Sequence, residues 1–291
     1  MKDQILEKYR EAGLIASKIL RDGAKEIRIG TTYLDIVESI ESRVIDDGAA
    51  LAFPLNLSLN EDAAHDTASP GDARILAKGD VAKLDLGVQV DGYIADTATT
   101  IDLGSNTLLL EASKQALEAA ISSIRPGVTT GDIGRAVQFE IESRGYRPIS
   151  NLTGHGLAQY ILHQSPTIPN VSINGGVTLE EGMVFAIEPF ATTGSGHVME
   201  KTRKEIYSQI SQKPVRIPAG RAIIEQVKDR RGLPFSRRWL KDRKMDLALP
   251  TLLRSQVVHG YPVLSDIPGS LVSQAEHTII VTADGCIVTT R

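Results

Sequence analysis

Apolar positions along the chain switch repeatedly between a helical and a strand period. Over residues 3–24, Ile5, Tyr9, Ala12, Ala16 and Ile19 share one stripe while Lys, Glu and Arg lie largely elsewhere, which predicts an amphipathic helix. Gly30-Thr-Thr begins a second helix that runs to about Asp47 and stops at Gly48. Ala52 to Asn60 alternates like a strand, and Glu61 to Asp80 reads as loop, with Ser69-Pro-Gly as a turn. Within Val81–Ile101, two runs of β-branched and apolar residues meet at Asp91-Gly92. Glycine accepts the positive φ that a tight primed turn requires, so this stretch reads as a β-hairpin.

The pattern then recurs. Residues 109–124 predict a helix, and Gly127-Val-Thr-Thr-Gly-Asp-Ile opens another that ends at Gly145. Shifted by 97 residues, Gly30 falls on Gly127, Thr32 on Thr129, Asp35 on Asp132, Ile36 on Ile133 and Gly48 on Gly145. The matches sit at helix starts and stops, where Thr, Asp and Gly have capping work to do. They predict two related helix-helix-strand halves facing each other across one sheet. Met183 to Ile187 reads as a buried strand closed by Glu188. Ser270–Val281 and Gly285–Thr290 read as a final strand pair. Between them the segment 195–258 differs in character, rich in Lys and Arg from Lys201 to Lys244, with helices expected around Lys204–Gln212, Ala219–Arg231, Ser236–Lys241 and within Leu247–His259. It is read as a small helical insertion into a body formed by 1–194 and 259–291.

Composition narrows the chemistry. A chain of 291 residues can bury a sizeable core. Its formal net charge of −4 argues against a whole-chain nucleic-acid binder. Cys286 is the single cysteine, which excludes an internal disulfide and a thiolate cluster and points to a reducing compartment. Any metal site must therefore be built from His, Asp and Glu. No apolar run is long enough for a membrane span. Charges from Lys2 through Arg21 interrupt what a signal peptide would need, so the expected location is the cytoplasm. The basic face of 195–258 is most simply solvated surface; contact with RNA or a ribosome is the sharper reading.

Counting outward from Asp91-Gly92 pairs Val90 with Tyr93, Val88 with Ala95 and Gly87 with Asp96. Asp85 then shares a sheet face with Asp96 as its diagonal neighbour, roughly 7 Å away between Cβ atoms. Gly87 is expected to leave open space beside them. Two such carboxylates could hold a divalent cation, share a proton as a dyad, or coincide on a solvated face. His155 lies between Gly154 and Gly156, and His163 follows it. Glu188 closes an apolar strand, where a carboxylate is costly to bury unless paired. Glu276 shares a face with Gln274 and Thr278, while His277 points away and is read as structural. Together Asp85, Asp96, His155, Glu188 and Glu276 form an oxygen-rich set whose four negative charges would offset two dications.

Lys83-Leu-Asp85, Asp96, Gly154-His-Gly156, Glu188-Pro189 and Gln274-Ala-Glu-His-Thr278 resemble, in order and spacing, the motif series of the methionine aminopeptidases. That resemblance implies an α+β pita-bread fold, two pseudo-symmetric halves around a curved antiparallel sheet. The insertion before Glu276 resembles the type II branch, and the short N-terminus its archaeal members. By resemblance, Asp85, Asp96, His155, Glu188 and Glu276 are ligands of two divalent metal ions (Co, Mn, Fe or Zn), with Asp96 and Glu276 bridging. His65 matches the histidine that contacts substrate, and His163 the one that polarises the peptide carbonyl. Glu188 also matches the general base, and Leu162 and Tyr261 line the methionine pocket. Ala275 departs from the family, many members of which carry an aromatic there. The implied reaction is removal of the initiator methionine from nascent polypeptides ahead of a small residue, by a monomer. The alternatives are proline-specific cleavage, as in prolidases and aminopeptidase P, and a non-catalytic binding protein of the same fold.

Overall fold

The computed structural model describes residues 1–241 and 243–291. Helices α1 (Asp3–Ala24) and α2 (Tyr33–Asp46) pack on the hairpin Val81–Val90/Tyr93–Asp102, burying Ala16, Ile19, Ile36, Ile40, Leu84 and Leu86 in one core. Helices α3 (Thr107–Ser123) and α4 (Thr130–Ser143) bury Leu117, Ile133, Val137, Ile168, Phe185 and Ile279 in a second. The halves are alike down to single hydrogen bonds. Gly30 N donates to Leu76 O at 2.8 Å and Gly127 N to Leu179 O at 2.9 Å. Tyr33 N donates to Arg74 O and Thr130 N to Val177 O, both at 2.9 Å. Gly30 and Gly127 share a positive φ, 88° and 91°, as do Gly48 and Gly145 at 80° and 82°. The 97-residue repeat is therefore a repeat of backbone geometry, placed where only glycine takes that φ without strain.

The sheet is antiparallel and curls from one half into the other. The hairpin has the expected register, Gly87 opposite Asp96, closed by Asp91 and Gly92 at φ 53° and 86°. Its outer strand touches the C-terminal segment through an Ala98–Glu276 bridge. From there His277–Val281 pairs with Val184–Ile187, and Gly156 pairs with Phe185 to bring in Thr153–Ala158 and Ile161–Pro169.

The 195–258 segment differs from expectation at its start. Lys204–Gln212 is not helical: Met199–Gln209 is a strand paired along Val258–Ser265, which in turn pairs with Asp62–Ala64. Its charged positions mimic a solvated helix face, but Ile206, Tyr207 and Ser208 are buried, and the long antiparallel partner decides the outcome. Pro218–Val227 is helical as expected and continues as a 3-10 turn to Arg230. Ser236–Lys241 holds only the 3-10 turn Arg237–Trp239 after a strand residue pair, and Leu247–His259 holds the helix Leu249–Arg254 before the next strand. The basic run Lys241–Lys244 lies partly outside the described residues, at Asp242.

Candidate metal centre

The hairpin and three further strands converge on one small cavity. The hairpin contributes Asp85 and Asp96 from the same sheet face. Glu188 follows the strand Val184–Ile187 and Glu276 precedes His277–Val281, and since Ile187 pairs with His277, the two glutamates meet where these strands end. His155 comes from the next strand, its Nε2 3.7 Å from Asp96 Oδ2 and 3.6 Å from Glu188 Oε1. Ligand-capable atoms of Asp96, His155 and Glu276 all lie within 4.8 Å of one another.

Threonines lock this arrangement. Thr97 Oγ1 donates to Glu276 O at 3.0 Å and Thr100 Oγ1 to Gln274 O at 2.7 Å. Thr278 Oγ1 donates to Asp96 O at 2.8 Å and accepts from Asp96 N at 2.7 Å. The Thr97-Ala-Thr-Thr run reads as plain strand in the sequence; its hydroxyls stitch the hairpin to the C-terminal segment where few backbone bonds are available.

The electrostatics call for a cation. Asp96 and Glu276 are buried, and Asp85 and Glu188 face the cavity. Burial pushes the Asp85 carboxyl up to about 7. Burial and then the neighbouring carboxylates lift those of Asp96, Glu188 and Glu276 well above the usual range. Burial also drives His155 down to about 3, so it presents a neutral imidazole. Among the described residues, no Lys or Arg pairs with any of the four carboxylates. Asp85 Oδ1, Asp96 Oδ1 and His155 Nδ1 are buried without a hydrogen-bond partner. Leaving such groups unpaired is expensive, and hard or borderline divalent cations are what oxygen-rich sets with one imidazole take. The donor set fits metal.

All nine residues singled out in the sequence line this cavity. His65 stands at φ 63°, with its Nδ1 3.3 Å from Pro262 O and its ring 5.6 Å from that of Tyr261. The His163 ring packs edge-on against His155 at 4.3 Å. Phe53, Ile206 and Pro234 complete an apolar side with Leu162 and Tyr261. Those three carry no sequence signal beyond hydrophobicity, because they come from segments far apart in the chain. One glycine expectation changes. Gly87 does not leave space: a Cβ there would lie 2.2 Å from the Phe53 ring, which fills that place. Gly154 and Gly156 serve close strand packing, since a Cβ on either would meet the carbonyl oxygen of Ala186 or Ser165 at 2.2 and 2.3 Å.

The sequence pattern of metallopeptidase family M24 matches residues 7–283, and the chain belongs to that family of peptide-bond hydrolases. Within it the chain stands with the methionine aminopeptidases. The enzyme of that name from Archaeoglobus fulgidus is 48% identical over 292 residues, covering 100% of both chains. The fold is shared with the crystal structure of methionine aminopeptidase from Thermotoga maritima, at a TM-score of 0.74 and 24% identity over 100% of this chain and 98% of that one. It is also shared with a thermophilic Arx1, at a TM-score of 0.90 and 20% identity over 99% and 91%.

Proposed function

We propose that the chain removes the N-terminal methionine from nascent polypeptides, with a small residue following it. The observation that carries this reading is the mixed lining of one cavity, in which the carboxylates and His155 stand together with Phe53, Leu162, Ile206, Pro234 and Tyr261. An unbranched apolar side chain would rest on the apolar residues while the scissile bond faces the carboxylates. Asp85, Asp96, His155, Glu188 and Glu276 are the residues that would hold two divalent ions. When bound, the ions supply Lewis acidity and let water ionise near neutral pH.

The chain's own residues do the rest. Glu188 takes the proton from the attacking water. His163, packed against His155, donates to the carbonyl oxygen as it gains charge, and His65 holds the peptide beside the scissile bond. A held metal ion would also take up a free α-amine, which an acylated terminus lacks, and that would make the activity an exopeptidase one. Tyr261 is held by a 3.1 Å contact between its hydroxyl and Ser208 Oγ, so its ring presents a fixed wall.

The body 1–194 with 259–291 is proposed as the catalytic domain and 195–258 as its inserted subdomain, working as a cytoplasmic monomer. Among the described residues no helix is long and apolar enough to cross a membrane. A ribosome contact through the insertion rests on the exposed Lys213, Arg216, Arg221 and Lys228. Arg237 is engaged by Glu205 and Asp246, and Arg238 by Glu38 and Glu41. The deciding experiment is Met-Ala-Ser hydrolysis by metal-stripped protein titrated with Mn, Fe, Co and Zn. Methionine release that climbs to one or two metal equivalents supports the reading. Metal binding with cleavage of X-Pro peptides instead replaces it with a prolidase-like activity, and no binding leaves a non-catalytic protein.

A further inference from the structure

We propose that Arg230, in the insertion, is a positioning residue that sets the width of the cavity's apolar side by tying two of its walls to one guanidinium. The inference rests on the methionine-removing reading above. Arg230 Nη2 donates to Leu51 O and Ala52 O, both at 3.0 Å, and Nε donates to Leu233 O at 3.3 Å. Ala52 immediately precedes Phe53, and Leu233 immediately precedes Pro234; both followers line the cavity. One planar group thus fixes the backbone at the root of each wall.

A second tie acts beyond Phe53. Leu55 N donates to Glu41 Oε1 at 3.2 Å, while Glu41 Oε2 accepts from Arg238 Nη2 at 2.9 Å and Trp239 Nε1 at 2.8 Å. The Trp239 ring lies 4.9 Å from the Arg230 guanidinium, closing the circuit. The segment 51–55 is therefore braced on both sides of Phe53, directly by Arg230 of the insertion on one side and on the other by Glu41 of α2, which Arg238 and Trp239 of the insertion hold in place. The Phe53 ring occupies the place of a Cβ on Gly87, which stands opposite Asp96 and two residues along the strand from Asp85. Arginine is the residue type this needs. Its fork reaches several carbonyls in fixed directions, whereas a lysine ammonium on a flexible stem does not hold that geometry.

A loosened brace lets Phe53 and Pro234 drift apart. Binding of the methionine side chain weakens, bulkier side chains enter, and the hydrolytic groups stay where they are. Apolar pockets of this kind discriminate by about ten- to two-hundred-fold.

The test uses the full-length, metal-loaded protein and three variants: Arg230→Met, Arg230→Lys and Trp239→Phe. Wild type is assayed first on Met-Ala-Ser; failure to release methionine overturns the functional reading itself. With wild type active, Arg230→Met is expected to raise KM for Met-Ala-Ser about ten-fold with kcat within about two-fold. Bound metal should not change, and the kcat/KM ratio of Leu-Ala-Ser to Met-Ala-Ser should rise. Arg230→Lys and Trp239→Phe should show smaller shifts in the same direction, and they carry the test should Arg230→Met not fold. Unchanged KM and an unchanged Leu/Met ratio in folded variants overturn the inference. So does a fall in kcat that tracks metal loss at constant KM.

Discussion

Ala98 and Glu276 exchange both backbone hydrogen bonds, Glu276 N to Ala98 O at 3.1 Å and Ala98 N to Glu276 O at 3.4 Å. Two positions from Ala98 lies Asp96, so this bridge sets the buried carboxylates of Asp96 and Glu276 side by side from parts of the chain 180 residues apart. Thr97 reinforces it through its hydroxyl. Thr97→Val keeps the shape and removes that bond. It should cost about 1 kcal/mol of stability and weaken metal binding about ten-fold. Denaturant melts and metal titration by calorimetry check both, and wild-type metal affinity would exclude the bridge as an aligning device.

Asp96 sits among Asp85, His155 and Glu276 and is proposed as a metal ligand. Asp96→Ala should lower kcat by several orders of magnitude and reduce the metal bound. Near-wild-type methionine release from this variant would remove the ligand assignment.

Gly87 is covered by the Phe53 ring. In Gly87→Ala the new methyl would lie 2.2 Å from that ring, so the ring must move. A loss of about 1–3 kcal/mol is expected from overpacking. The double variant Gly87→Ala/Phe53→Leu should lose less than the sum of the singles, because the clash needs both groups. Additive losses in urea melts would place the strain elsewhere.

The helix starts at Thr32 and Thr129 are equivalent by repeat but differ in chemistry. Thr129 forms a capping box with Asp132, whereas the Thr32 side chain makes no cap bond. Thr129→Ala should destabilise by about 1 kcal/mol. Thr32→Ala should have a much smaller effect, and thermal unfolding of the two variants is the comparison. Equal losses would mean that the threonines act by something other than capping.

Lys83 is fully buried, its Nζ donating to Asn60 O at 2.8 Å, and burial lowers it to about 7. In the unfolded chain the group titrates near its ordinary 10.5. Between these values the unfolded state binds more protons, so the free energy of unfolding rises with pH across that window. The slope from this one group reaches up to about 1.4 kcal/mol per pH unit. Lys83→Met should flatten stability between pH 7 and 10.5 relative to wild type. Identical slopes in urea melts across that range would show that Lys83 stays charged when buried.

Local patterns were readable wherever one residue type has one physical job. Asp91-Gly92 specified the hairpin and, by alternation alone, put Asp85 and Asp96 on one face. Glycine and threonine at helix ends exposed the 97-residue repeat, since the φ of Gly30, Gly48, Gly127 and Gly145 suits few other residues. The resemblance of dispersed motifs then pointed to Glu188, Glu276 and the three histidines. The charges of Lys204–Gln212 fit a solvated helical face; what makes that stretch part of the strand Met199–Gln209 is its partner Val258–Ser265, distant in sequence.

The sequence by itself determined the element types near each turn and cap, the sheet face of the aspartates, and the absence of a thiolate site. These depend on neighbours a few residues away. Only the tertiary structure decided that Phe53 fills the space at Gly87, that the threonines of one strand hold the glutamate of another, and that three of the insertion's arginines are paired with the body of the fold or within the insertion instead of being solvated. Arg230, Arg237 and Arg238 look like solvated charge in the chain. Folding places them against carbonyls and carboxylates that burial leaves in need of a donor. That pairing is a property of the packed interior, where an unpartnered polar group is costly, and no local pattern encodes which partner arrives.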